Sequence, residues 1–116
     1  MTEDELLTAI IDLAHAYAYR IAHFRPAMTA HGWRTPVSAD GKGFPDLVLV
    51  GRGRVVFAEL KSEDGVLRLD QRGWINALRE SGAEVYVWRP ADLPQLPEIL
   101  ARRAGTISDI SKERTR

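Results

Sequence analysis

Asp46 and Glu59 lie on two apolar runs, Phe44-Pro45-Asp46-Leu47-Val48-Leu49-Val50 and Val55-Val56-Phe57-Ala58-Glu59-Leu60-Lys61, separated only by Gly51-Arg52-Gly53-Arg54. Runs of this kind joined by a tight glycine-containing turn read as antiparallel strands. Pairing Val50 with Val55 puts Asp46 opposite Glu59, with Cβ atoms roughly 5 Å apart on one face. Two like charges set side by side call for a guest, and a divalent cation is the natural one. Mg²⁺ and Mn²⁺ take hard oxygen ligands, and Mg²⁺ is commonly held by one or two carboxylates with waters and substrate oxygens completing the shell. The Leu60 carbonyl, on the main chain beside Glu59, is the expected third ligand. A cation there would acidify a water and offset charge building on a phosphorus centre. Lys61 emerges on the same face as Glu59, where its ammonium would orient that water or steady the charge.

The elements that must position these groups can be read from periodicity. Thr2 and Glu5 fit a capping box, and Leu6, Leu7, Ile10, Ile11, Ala14 and Tyr17 recur at helical spacing, so a helix is expected from residue 3 to about 19. Arg20 to Phe24 reads as a strand. Pro26, Gly32, Pro36, Gly41 and Gly43 then mark a long connection for which no regular structure is expected. It carries Arg25, His31, Arg34 and Lys42 just ahead of Asp46, and two readings stay open: a substrate-contacting loop or a solvated insertion. Ser62 to Gly65 is a turn. Leu69 to Ser81 is a second helix ended by Gly82, with Gln71 on the same face as Trp74, Ile75 and Leu78. Glu84 to Trp88 is a strand, and the intervening helix requires it to run parallel to Val55–Lys61. Pro90 stops that strand, and Asp92 with Pro94 opens a last helix reaching about Arg103. The fold class expected is α/β, a small mixed sheet flanked by helices. Residues 1–104 would form one domain and 105–116 a basic tail, in which Ile107 and Ile110 allow a short docking helix.

Composition narrows the classes. The chain has 116 residues, 45% hydrophobic and 28% charged, a formal net charge of zero and no cysteine. That is the balance of a globular protein, and it excludes disulfides, thiolate metal sites and a cysteine nucleophile. No apolar run approaches the roughly 18 residues that span a bilayer, and the polar Met1-Thr-Glu-Asp-Glu start is unlike a secretory leader, so a cytoplasmic protein without a membrane partner is expected. His15, His23 and His31 lack metal-ligand spacing. Of the three tryptophans, Trp74 and Trp88 fall in periodic apolar runs and read as core, which leaves Trp33 as a base-stacking candidate.

Pro45-Asp46, a spacer of twelve and Glu59-Leu60-Lys61 resemble the signature of the PD-(D/E)XK nucleases. The surrounding residues Gly43-Phe44-Pro45-Asp46-Leu47, Ala58-Glu59-Leu60-Lys61, Gln71 with Trp74, Leu78, Gly82 and Val85-Tyr86-Val87 are similar to the VRR-NUC branch, found among phage and repair nucleases. The similarity runs from the first helix to the last. It implies a restriction-endonuclease-like αβββαβ core, Mg²⁺ or Mn²⁺ on Asp46 and Glu59, Lys61 assisting the attacking water, and Gln71 supporting the site. It also implies an acid on the first helix, best matched by Glu5, with Glu3 its neighbour and Asp12 more remote; the capping box competes for Glu5. One departure is Arg68-Leu69-Asp70, where relatives often carry a Ser or Thr cap followed by Pro. Arg34, Lys42, Arg52, Arg54, Arg68 and Arg72 are the residues expected to track DNA phosphates. The activity implied is metal-dependent DNA hydrolysis. The alternatives are a non-catalytic nucleic-acid-binding subunit that keeps the fold, and a homodimeric junction resolvase with two sites.

Overall fold

The computed structural model describes residues 1–24, 27–34 and 37–105. The expected basic tail beyond Gly105, with Ile107 and Ile110, and Arg25 of the connecting segment lie outside the described residues. Helix α1 covers Glu3–Ala16 and opens on the expected capping box, in which Thr2 Oγ1 accepts the Glu5 N–H at 3.1 Å and Glu5 Oε1 accepts the Thr2 N–H at 3.0 Å. It stops short of residue 19 because Ala18 takes a left-handed conformation, φ 66°, and the Tyr19 N–H turns back to the Ala14 carbonyl at 2.8 Å. An alanine rarely marks such a stop, since its Cβ makes that conformation unfavourable.

Strand β1 (Arg20–His23) follows directly. The segment expected to be irregular instead contains a small separate hairpin, β2 (Ala27–Thr29) paired with β3 (Gly32–Arg34), in which Gly32 supplies φ 96° after the Ala30-His31 turn. Three-residue strands are too short to show alternation, so this hairpin had no sequence signal. The main sheet continues with β4 (Leu47–Gly51) and β5 (Arg54–Leu60), then α2 (Leu69–Glu80) and β6 (Glu84–Trp88). Its order is β1-β4-β5-β6, antiparallel except for the β5–β6 pair. The β4–β5 register matches Val50 to Val55 and Leu47 to Ala58, and the parallel crossover matches Leu60 to Trp88. The last helix differs from expectation: Pro90–Gln95 is a 3-10 segment, and α3 proper is only Leu96–Ala101. Pro94 lacks the N–H that an α-helix through that stretch would need.

Alternation along the strands divides the sheet into two faces. Leu47, Leu49, Val56, Ala58, Leu60, Tyr86 and Trp88 are buried against Leu6, Ile10 and Ala14 of α1 and Leu96, Ile99 and Leu100 of α3. On the opposite face α2 inserts Gln71 and Ile75, while Val50 and Val55 remain half open to solvent. This mixed four-stranded sheet with its helices is an α/β architecture of the restriction-endonuclease-like kind.

The hairpin turn corrects two assignments. Arg54 is only 7% exposed, and its guanidinium donates to both Glu84 carboxylate oxygens at 2.8 and 2.6 Å, to the Tyr19 hydroxyl, and to the carbonyls of Ile99 and Arg102. Arg52 donates through Nε and Nη2 to the Ala101 carbonyl at 3.1 and 2.9 Å, closing the end of α3. Both lie at the far end of β5 from Glu59, about 16 Å away at the rise of a strand. They hold α3 and β6 to the hairpin, and neither faces the acids. Replacing Arg54 by Leu is expected to cost about 3–5 kcal/mol in urea unfolding, because it strips the Glu84 carboxylate of its charge partner, leaving only the Tyr86 hydroxyl to donate to it, and removes a donor from the Tyr19 hydroxyl and the Ile99 and Arg102 carbonyls. The Arg54→Leu/Glu84→Leu double variant should lose less than the sum of the two single changes.

Candidate active site

Beyond the last ladder pair, Leu47 with Ala58, the same register carries Asp46 to Glu59 and Pro45 to Leu60. Asp46 sits just ahead of β4, held by its carbonyl, which accepts the Phe24 N–H at 3.0 Å. Its Oδ2 accepts the Leu60 N–H at 2.9 Å, so a side chain takes the place that a backbone carbonyl would hold in the ladder. In that ladder geometry the Leu60 carbonyl points the same way as its N–H, toward Pro45, which has no N–H to offer it. The carbonyl and both carboxylates thus share one end of the β4–β5 pair.

Glu59 is 2% exposed, covered by the N-terminal turn of α2. Gln71 Nε2 donates to Glu59 Oε2 at 2.9 Å, and Gln71 Oε1 accepts the Arg68 N–H at 2.9 Å, so the amide is locked at both ends. Gln71 therefore reaches the acids, as its place on the apolar helix face suggested. Burial pushes the Glu59 carboxyl up to about 8, and Asp46 adds to the shift both as a like charge and as a hydrogen-bond partner; Lys61 and Arg68 pull the other way without reversing it. A buried acid pair whose second proton is so weakly lost is short of positive charge.

Those donors fit a hard divalent cation. Among the described residues no three His, Cys, Asp or Glu side chains cluster, so the chain would supply two carboxylates and the Leu60 carbonyl, leaving the remaining positions to water or phosphate, the arrangement usual for Mg²⁺. Lys61 is half buried and follows Glu59 on the strand; its backbone N–H donates to the Trp88 carbonyl at 3.0 Å.

The loop before Asp46 is fixed to α2. The Phe44 ring packs edge-on against Phe57 and Trp74, with centroids 5.9 and 5.0 Å apart, and Trp74 Nε1 donates to the Asp40 carbonyl at 2.9 Å. Gly43, at φ 88°, lies so close to the Asp70 backbone that an added Cβ would come within 2.5 Å of its carbonyl carbon. Trp74 is thus a loop anchor as well as an apolar residue, while Trp88 lies in the core as expected.

Of the basic residues, Arg68 is exposed beside the site and pairs with Asp70 at 3.2 Å, Lys42 is exposed and close enough to act on the Asp70 carboxyl, and Arg72 is exposed on α2. Arg34 and Trp33 fall in β3, and their side chains lie outside what is described. Glu5 is engaged by the cap: the Thr2 hydrogen bonds hold its carboxyl below the ordinary range, and the charges acting on Glu59 are Asp46, Lys61 and Arg68. Glu3 and Asp12 face solvent.

A family model described as the VRR-NUC domain matches residues 9–92, from within α1 through β6 to the 3-10 segment. No curated protein matches the chain.

The raised Glu59 pKa has a definite sign for stability. Between about 4.5 and about 8 the folded protein keeps a proton that the unfolded chain has released, so stability contributed by this group is full below 4.5 and lost as pH rises through 8. Metal-free protein should melt at progressively lower temperature from pH 5 to pH 9, and Glu59→Gln should flatten that dependence and raise the alkaline Tm. Added Mg²⁺ or Mn²⁺ should restore the wild-type Tm at pH 8 and leave Glu59→Gln unmoved, measured by calorimetry.

Proposed function

The chain belongs to the VRR-NUC domain family of the PD-(D/E)XK nucleases, and on that footing we propose that it hydrolyses phosphodiester bonds in DNA with Mg²⁺ or Mn²⁺ held at Asp46, Glu59 and the Leu60 carbonyl. Membership carries a nuclease-type function. The observation that supports the finer reading is the buried Glu59 carboxyl facing Asp46, a pair that Lys61 and Arg68 act on without bringing the Glu59 carboxyl back to its ordinary range. A bound divalent ion would supply Lewis acidity toward water and offset charge on the phosphate.

The chain's own groups do the rest. Asp46 and Glu59 face each other across the strand pair, and Gln71 fixes the Glu59 carboxylate in one orientation. Lys61, next along the face, would hold its ammonium toward the attacking water or the phosphoryl oxygens. Arg68, Lys42 and Arg72 line the approach and would contact the backbone of DNA without reading its sequence, which favours recognition by shape over base identity.

Asp46→Asn, Glu59→Gln and Lys61→Ala should each lower Mg²⁺-dependent cleavage of DNA by at least about 10²-fold while leaving the circular-dichroism spectrum unchanged. Gln71→Ala should weaken metal affinity by about 10–100-fold, as removal of a group orienting a ligand commonly does. A purified Asp46→Asn protein that cuts at the wild-type rate would overturn the assignment. DNA binding that persists without cleavage in any metal would favour the non-catalytic subunit instead. Neutralising Lys42, Arg68 or Arg72 singly should reduce the slope of log affinity against log salt by about one each.

A further inference from the structure

We propose that Arg89 is the positioning residue for Lys61, acting through the turn that connects β5 to α2. The proposal rests on the reading of Lys61 as the amine that assists catalysis. Arg89 Nη1 donates to the carbonyls of Ser62 at 2.7 Å and Gly65 at 2.7 Å, with a longer approach to Glu63 at 3.3 Å. One guanidinium therefore gathers the carbonyls of three of the four residues that follow Lys61. The same turn is tied again where Glu63 Oε1 accepts the Ala91 N–H at 2.7 Å, and Asp92 Oδ2 accepts the Arg89 N–H at 2.8 Å, which fixes the backbone from which the guanidinium reaches.

The link from turn to lysine is a packing contact. A Cβ built on Gly65 would lie 3.2 Å from Lys61 Cδ and 3.1 Å from Ser62 Oγ, so the aliphatic stem of Lys61 lies along the glycine. The strand ladder adds no rung beyond Lys61, because the β5–β6 pairing ends there. Lys61 N–H bonds the Trp88 carbonyl, but the next rung would need an N–H at Pro90, which has none. Arg89 takes over where the ladder stops: it directly follows β6, and its guanidinium is spent on the Ser62 and Gly65 carbonyls. Nothing in the reaction requires Arg89 to touch substrate.

The test combines a double-mutant cycle with a spectroscopic readout of the lysine itself. Arg89→Ala should lower kcat about 10²-fold with KM little changed, the size of effect expected when a reacting group is displaced by about an ångström. In a Lys61→Ala background the same change should cost less than about twofold, because the group it positions is gone. Gly65→Ala, which presses on the Lys61 stem, should behave like Arg89→Ala, and Arg89→Lys should recover little, since a lysine ammonium ends one bond short of the Nη1 position that reaches the turn carbonyls. The chain has three lysines, Lys42, Lys61 and Lys112. In ¹³C-methyl spectra of reductively methylated protein, Arg89→Ala should shift and sharpen the Lys61 signal alone, with the other two unmoved. An equal loss of kcat in both backgrounds, or an unmoved Lys61 signal, would overturn the proposal. A wild-type protein without metal-dependent cleavage whose Lys61 signal still moves in Arg89→Ala would refute the catalytic reading and leave the positioning intact.

Discussion

The structure turns on a like-charge contact that folding alone would not choose. Register sets Glu59 against Asp46, and α2 then closes over Glu59 and excludes water from it. Burying a carboxylate beside another costs free energy unless a cation or a proton intervenes. The remainder of the fold can be understood as what holds that contact in place: Gln71 fixed at both ends, Asp46 accepting from the Leu60 N–H, and the loop before Asp46 clamped to α2 by Phe44, Trp74 and the close passage of Gly43 past Asp70. Each restraint removes a way for the acids to separate, so the repulsion is retained in the native state instead of relaxed.

The two ends of β5 carry opposite solutions to the same electrostatic problem. At the turn end, Arg54 is buried yet fully answered by a bidentate carboxylate, a hydroxyl and two carbonyls. At the other end, Glu59 is buried more completely and receives a single amide donor from Gln71, with an acid rather than a base across the strand pair. A satisfied buried charge is a structural device, whereas an unsatisfied one stores a demand for a ligand. That contrast separates the arginine of the turn from the acids of the site more reliably than residue type or position does.

Much of this was legible in the sequence, and the failures have physical causes. The β4–β5 register followed from two runs, one short turn and the period of two, and it fixed which residues could meet. Gln71 could be placed because a polar residue on an otherwise apolar helical face must meet something polar. Arg52 and Arg54 were misread because an arginine in a hairpin turn is ordinarily solvated, and only the packing of α3 and β6 against that turn buries one and engages the other. The early end of α1 was hidden in an alanine that adopts a glycine's conformation, and β2–β3 in strands too short to alternate. The VRR-NUC resemblance holds over the matched span, and its expectation of an acid on α1 meets in Glu5 a residue already occupied by its cap.

Two prolines explain why the chemistry sits at this end of the sheet. Pro45 falls opposite Leu60 on one side of β5, and Pro90 falls where the next rung of the parallel ladder would form on the other. Each lacks the N–H that would have tied up a carbonyl, that of Leu60 at the end of β5 or of Lys61 just after it, so Leu60 keeps its oxygen free of the antiparallel ladder and Lys61 ends the parallel one. A strand that ran on in full pairing would have consumed those groups in backbone hydrogen bonds. Ending both ladders at adjacent residues turns the last rung of a sheet into a polar rim, where side chains take over: Asp46 accepts the Leu60 N–H on one side, and Arg89 donates to the carbonyls of the turn just beyond Lys61 on the other. On this argument the prolines belong to the site as much as the acids do, since they determine which backbone groups the acids and the lysine have beside them.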